Sequence, residues 1–379
     1  MIPVLTASQI KSADEYTITH EPVRSIDLME RAAAACFNYI IQNFNRSKRF
    51  IVFCGTGNNG GDGLAIARML LDTGYDCTVY IVRYSEKCSK DFSENEILLK
   101  RLFPHAMNDI AVAGDLPVLS NQDVIIDCIF GTGLSRPADG LNAEVIKHVN
   151  ISESEVIAID MPSGLFADAT SVQHKDVIVN ATHTLTFQVM KLALLFPENA
   201  KHYGSVKLMD IKLDKNYIAA LPLQHLIIGR DDVNEIIKPR KPFSHKGNYG
   251  HALIIAGSYG KTGAAQLAAR ACLRSGAGLV TVNVPACGYN PLQTALPEVM
   301  VLADECEHHL AHAVDFSVYD AIGIGPGIGQ QNDTSTIVKM LIQNSINPII
   351  IDADAINILA ENKTWLSFLP RSEEHTSEL

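Results

Sequence analysis

The chain has 379 residues, 47% apolar and 19% charged, with a formal net charge of −11 at neutral pH. That is ordinary globular composition with room for two domains, and the acidic balance argues against nucleic acid as a partner. No apolar run reaches the roughly 20 residues needed to cross a bilayer. The N-terminus MIPVLTASQIKSADEY also lacks a secretory apolar region, so no membrane partner and a cytoplasmic location are expected. The eight cysteines form no C-x-x-C pair and several sit in apolar runs, which predicts reduced, buried thiols.

In chain order, Thr6–His20 and Ser25–Asn45 are expected as helices capped by Thr6 and Ser25. RFIVFCG reads as a buried strand, GTGNNGGDG as a Gly-rich loop, and LAIARMLLDTG as a helix ended by Gly74. Asp76–Val82 is the next strand, completing a βαβ unit. A strand over Asp123–Phe130 runs into GTGLSRP, Leu141–Asn150 is a helix, and Glu155–Asp160 is a strand running into MPSG. Ala181–Phe187 and Gly204–Asp210 are later strands. The expected fold class is α/β, a doubly wound, Rossmann-like parallel sheet over residues 1–222. In such a sheet ligands bind outside the carboxyl ends of the strands, so the three glycine-containing loops should share one pocket. Residues 223–246 turn Pro- and charge-rich and read as a linker. A second, shorter α/β domain is expected over 247–370, beginning with the strand HALIIAG. The last nine residues, RSEEHTSEL, have no hydrophobic periodicity and match the translation of a sequencing-adapter sequence, so 371–379 is expected to be non-native.

The first loop carries Gly55-x-Gly57-x-x-Gly60 between a strand and a helix, formally a dinucleotide fingerprint. The acidic residue that normally holds the ribose is absent, because the second strand ends IVRYS, with Arg83 and Tyr84. The loop interior holds Asn58, Asn59 and Asp62, which suit a cation or a hydroxyl better than a phosphate. The competing reading makes the asparagines turn residues and Asp62 a helix cap. Asp127 would bury a carboxylate at the end of an apolar strand, favouring a partner such as a cation, or else backbone hydrogen bonds there. Asp160 ends another apolar strand and is read as a general acid/base or, alternatively, a turn residue.

GNNGGDG, DCIFGTGLSRP and IDMPSG, in this order and at these strand ends, resemble the YjeF N-terminal family, the NAD(P)H-hydrate epimerases. THTLTFQVMKLALLFPENAKHYG and GSVKLMDI extend the resemblance, which covers about residues 1–215. It implies that Asn58, Asn59, Gly60, Gly61 and Asp62 contact a hydrated NADH or NADPH. It further implies that Asn59, Asp127 and Ser163 bind a potassium ion. Gly131, Thr132, Gly133, Leu134, Ser135, Arg136 and Pro137 would cradle the dinucleotide phosphates, and Asp160 would act at the reacting ring.

In the second domain, Gly260-Lys261-Thr262 looks like the end of a phosphate-binding P-loop, but Ile255 occupies the position of the required first glycine. KGNYGHALIIAGSYGKTGAAQLAARACLRSGAGLVTV, IGIGPGIG and IIDADAINIL instead resemble the ADP-dependent NAD(P)H-hydrate dehydratases, which are ribokinase-like. Ala264 and Gly327 would then line a hydrate pocket, and ADP would be the co-substrate. Asp352 and Asp354 suit a strand-end structural role as well as a catalytic one. The family's HPGE-like segment and GTGD loop do not occur here. The domain is therefore expected to be incomplete, poorly folded and without dehydratase activity. Two rivals stand beside the epimerase reading: a dinucleotide-dependent oxidoreductase and a non-enzymatic binding module. A homo-oligomer is compatible with each.

Overall fold

The structure, a computed structural model, describes residues 1–169, 177–237 and 239–369. The expected non-native tail lies outside the described residues. The chain divides into two compact units, Met1–Lys238 and Pro239–Leu379.

The first unit opens with a short strand β1 (Ile2–Val4) and helices α1 (Ala7–His20) and α2 (Ser25–Asn43). Thr6 and Gln9 form a reciprocal capping box on α1, satisfying two otherwise orphaned N–H groups. The cap of α2 differs from expectation. Arg24 occupies it, with its N–H donating to Asp27, while the Ser25 hydroxyl donates to Asp91 Oδ2 at 2.5 Å.

Seven further strands are β2 (Arg49–Cys54), β3 (Asp76–Val82), β4 (Met107–Ile110), β5 (Val124–Cys128), β6 (Glu155–Ile159), β7 (His183–Phe187) and β8 (Ser205–Met209). They form one parallel sheet in the order β4-β3-β2-β5-β6-β7-β8. The central strands are almost wholly apolar because helices cover both faces, and Phe50, Val52 and Ile126 are fully buried. Edge strand β4, with sequence MNDI, escapes sequence detection because two of its four residues are exposed and polar.

Helix α3 (Asn58–Asp72) starts within the glycine motif rather than after it. Glycines are poor helix formers, and crowding explains their use here. A Cβ on Gly60 would lie 1.8 Å from Gly55 O, and one on Gly63 would lie 2.7 Å from Cys128 Cβ. Helices α4 (Lys90–Leu102) and α5 (Gly140–Ile151) complete the layers used below.

The stretch read as linker carries structure. Strand β9 (His225–Ile227) pairs antiparallel with β1, and Arg230–Ile236 is helical. Strand pairing from a distant segment leaves no local periodic signal, so Pro and charge content dominated the sequence reading.

The second unit holds β10 (His251–Ile255), β11 (Leu279–Val284), β12 (Met300–Ala303), β13 (Ala321–Ile324) and β14 (Ile349–Ile351). They form a parallel sheet ordered β12-β11-β10-β13-β14. Leu253 and Ile255 belong to one buried cluster and Ile254 packs on another, as alternation along a strand requires. Helices such as Thr262–Arg274 and Asn332–Asn344 supply apolar layers against this sheet. Among the described residues, no helix is long and apolar enough to cross a membrane. All eight cysteines are free, and Cys36, Cys54, Cys77 and Cys128 are buried.

Candidate active site

Strands β2 and β5 are neighbours, yet the chain leaves them toward opposite edges of the sheet. This is the switch point at which an open α/β sheet leaves a crevice beyond its carboxyl ends. The loops after β2, β5 and β6 meet there around a cavity of about 750 Å³. Asn58, Asn59 and Asp62 line it, as do Gly131 through Pro137 and Asp160. Gly60 and Gly61 are packed away from its wall, Gly60 against Gly55 and Gly61 against Met29. Arg136 is exposed on the rim.

Asp160 follows β6 in a left-handed backbone conformation, φ +65°, which is costly for a residue with a Cβ. Its N–H is held by Leu185 O at 2.8 Å. Its carboxylate receives Lys191 Nζ at 2.8 Å and Thr132 N–H at 3.1 Å. Lys191 is fully buried and also donates to Phe187 O at 2.8 Å. Burying an ammonium is tolerable only with such partners. Sequence reading missed Lys191, although a single lysine inside the apolar run FQVMKLALLF was a usable signal.

Asp62 is buried within α3, whose cap is Gly57, so Asp62 is not the helix cap. Burial, and then the charges of Asp160, Asp14 and Asp91, hold its carboxyl well above the usual range. Asp14, half-buried on α1, also lines the cavity. Burial raises its pKa to about 7, with Asp160 adding to the rise and Lys191 opposing it. No loop motif marks Asp14, so sequence reading passed over it.

Asp127 and Ser163 are buried together. Ser163 Oγ donates to Asp127 Oδ1 at 2.6 Å, Ser163 N–H donates to Oδ2 at 2.8 Å, and Phe130 N–H donates to Ser163 Oγ at 2.8 Å. Burial lifts Asp127 to about 6 against the lowering effect of the Ser163 and Ile129 donors. Asn59 is only 9% exposed, and among the described residues neither atom of its amide has a hydrogen-bond partner. A Cβ on Gly131 would sit 3.1 Å from Asp160 Oδ2 and 3.3 Å from Asn59 Cγ, so Asn59 and Asp160 crowd the same glycine. The Asn59 amide oxygen, the Asp127 carboxylate and the Ser163 hydroxyl are oxygen donors of the kind that suits a hard, weakly charged cation. Among the described residues no group of three or more His, Cys, Asp or Glu is placed to hold a metal ion.

The glycine fingerprint has a different basis here from pyrophosphate approach. A Cβ on Gly55 would lie 2.1 Å from Ile129 O, so this glycine lets the first two loops touch. Arg83, at the end of β3, is engaged by Glu96 and Asp109.

In the second unit, Ala264 and Gly327 are neighbours: a Cβ on Gly327 would sit 3.1 Å from the Ala264 methyl. Gly327 has φ +69°, and its carbonyl accepts from Ser258 Oγ at 2.7 Å. Asp352 precedes the helix Ala353–Glu361 without a side-chain capping bond, and Asp354 accepts Gly329 N–H at 2.9 Å.

A doubly wound sheet with a polar, carboxylate-bearing crevice at its switch point, followed by a second parallel α/β unit, defines a two-domain enzyme class acting on a nucleotide-sized ligand. The comparisons are specific about which. The family described as YjeF-related protein N-terminus matches residues 25–193, and the NAD(P)H-hydrate dehydratase family matches 252–376. The bifunctional NAD(P)H-hydrate repair enzyme Nnr of Moorella thermoacetica is 32% identical over 382 residues, covering 96% of this chain and 71% of the relative. The Nnr enzymes of Escherichia coli and Thermofilum pendens are each 32% identical, with 63% and 70% of their lengths covered. The chain belongs to the family of bifunctional NAD(P)H-hydrate repair enzymes. It spans 63% to 71% of the length of these relatives. A solved ADP/ATP-dependent NAD(P)H-hydrate dehydratase from Bacillus subtilis is 32% identical, covering 33% of this chain and 44% of its own, with a TM-score of 0.30. Likeness on that scale carries no argument, and the fold rests on the strand orders given above.

Proposed function

We propose that the first unit interconverts the R and S forms of hydrated NADH and NADPH, and that Asp160 is its principal acid/base group. The observation that carries this is a buried carboxylate fixed by Lys191 and Thr132 N–H on the wall of the shared cavity, in a strained backbone conformation. Strain of this kind clusters at functional sites. The hydrated ring bears a hydroxyl on the carbon next to nitrogen, and inversion requires that centre to be opened and reclosed on the other face. A carboxylate able to move a proton at that hydroxyl is the minimum equipment. Asn58, Asn59 and Asp62 are assigned to the hydrated ring and its amide, and the rim from Gly131 to Pro137 to the phosphates.

Potassium is assigned to Asn59, Asp127 and Ser163. Its chemistry when bound is electrostatic, offsetting carboxylate charge and orienting the Asn59 amide. In the second unit, Ala264 and Gly327 are assigned to a hydrate pocket, and ADP is assigned as its nucleotide, as the resemblance of its motifs to the ADP-dependent NAD(P)H-hydrate dehydratases implies. The engagement of Arg83 by Glu96 and Asp109, with no acid at that strand end, weighs against the oxidoreductase reading.

The test is equilibration of separated R and S hydrates followed chromatographically. The chain should accelerate it, and Asp160→Asn should abolish the acceleration while dinucleotide affinity changes little. Turnover of intact NADPH with no effect on the hydrates would overturn the reading.

A further inference from the structure

We propose that Asp14 is a second proton-transfer residue of this pocket, acting as the acid where Asp160 acts as the base. The inference deepens the epimerase reading and rests on it. Asp14 lies outside the matched family segment, which begins at residue 25, and outside every loop motif.

The case is a charge count within one cavity. Asp14 on α1, Asp62 on α3 and Asp160 after β6 all line it, and one buried ammonium, Lys191, pairs with Asp160 and acts electrostatically on Asp14. Lys191 is committed to Asp160 at 2.8 Å, so Asp160 is the carboxylate with a cation in direct contact. Lys11, on the same helix as Asp14, lines the cavity but is exposed. The other charged group acting on Asp14 is its neighbour Glu15, which is unfavourable. Three carboxyls around one buried cation cannot all ionise cheaply. Burial holds the Asp62 carboxyl well above the usual carboxylate range. Asp14, raised to about 7, both holds and releases a proton near neutral pH, as an acid catalyst should. The Asn59 amide, buried and without a protein partner among the described residues, lines the same cavity and independently points to a polar ligand there.

The step balances as follows. Asp14 gives its proton to the ring hydroxyl, the C–O bond breaks, and water leaves. The ring nitrogen lone pair forms a C=N bond, making a cation that an acidic pocket favours over an oxyanion. Water then adds to the other face, the C=N electrons return to nitrogen, and Asp160 takes the surplus proton. Exchange through pocket water returns that proton to Asp14. Nothing is oxidised or reduced.

The experiment measures the pH dependence of R/S equilibration for the full chain and for the variants Asp14→Asn and Asp14→Glu, with circular dichroism as the folding control. The wild-type rate should fall as pH rises through about 7. Asp14→Asn should lose roughly 100-fold or more in rate together with that limb, and Asp14→Glu should restore the limb. An Asp14→Asn rate within about threefold of wild type, with the same pH profile, overturns the role of Asp14 alone. A wild-type chain that leaves the hydrates at their spontaneous rate overturns the epimerase reading and this proposal together.

Discussion

Replacing Lys191 by Met removes the cation from a buried pair and leaves Asp160 without its closest partner. The side chain is fully buried, Asp160 is 7% exposed, and their separation is 2.8 Å. Breaking such a pair from one side costs about 3–5 kcal/mol, because the remaining charge stays desolvated. The lost bond to Phe187 O adds about 1 kcal/mol. Together, for a unit of this size, that corresponds to a fall in Tm of roughly 8–24 °C. Adding Asp160→Asn should return most of the stability, since the buried charge is then gone. Hydrogen exchange on peptides covering β6 and β7 is the suitable assay. The sole tryptophan, Trp365, belongs to the second unit, so its fluorescence should not register the change and serves as an internal control. A loss below about 1 kcal/mol for Lys191→Met, or a double variant as unstable as the sum of the singles, would refute the ion-pair argument.

Ser163→Ala should cost about 2–4 kcal/mol, because it strips Asp127 of its 2.6 Å hydroxyl donor and Phe130 N–H of its acceptor in a dry site. Urea unfolding of the first unit checks it, and a cost under about 0.5 kcal/mol contradicts it. Gly131→Ala should leave stability within about 1 kcal/mol but slow R/S equilibration roughly 10- to 100-fold, since its Cβ would press on Asp160 and Asn59. Asp14 has a raised pKa, so the stability it contributes is complete below its unfolded value near 3.8 and is lost as pH rises through about 7. Asp14→Asn should therefore flatten that decline, gaining about 2–4 kcal/mol relative to wild type between pH 4 and pH 8, as pH-dependent melts would reveal. Potassium should raise the melting temperature of the first unit more than sodium does, and Asn59→Ala should remove the difference.

The three polar loops were legible because each closes an apolar strand with residues that an apolar strand cannot use. Asp127 and Asp160 stood out in VIIDC and VIAID for that reason. Parallel alternation of strand and helix then predicted that the loops share one crevice, and the strand order β2-β5-β6 makes them neighbours. Local chemistry was read less well at the glycines. Gly55 and Gly60 follow the spacing of a phosphate loop, but their close neighbours are Ile129 O and Gly55 O. Spacing cannot distinguish a ligand from a crossing backbone.

By itself, the sequence determined the central apolar strands and the helices with clear apolar periodicity, because that periodicity is a local property of the chain. It also determined that carboxylates stand at strand ends. Only the tertiary structure decided that Lys191 reaches Asp160, that Asp14 enters from α1, and that β9 returns to pair with β1. Those relations join residues far apart in the chain. A buried charge reveals its partner only when packing has excluded water and brought the opposite charge within hydrogen-bond distance.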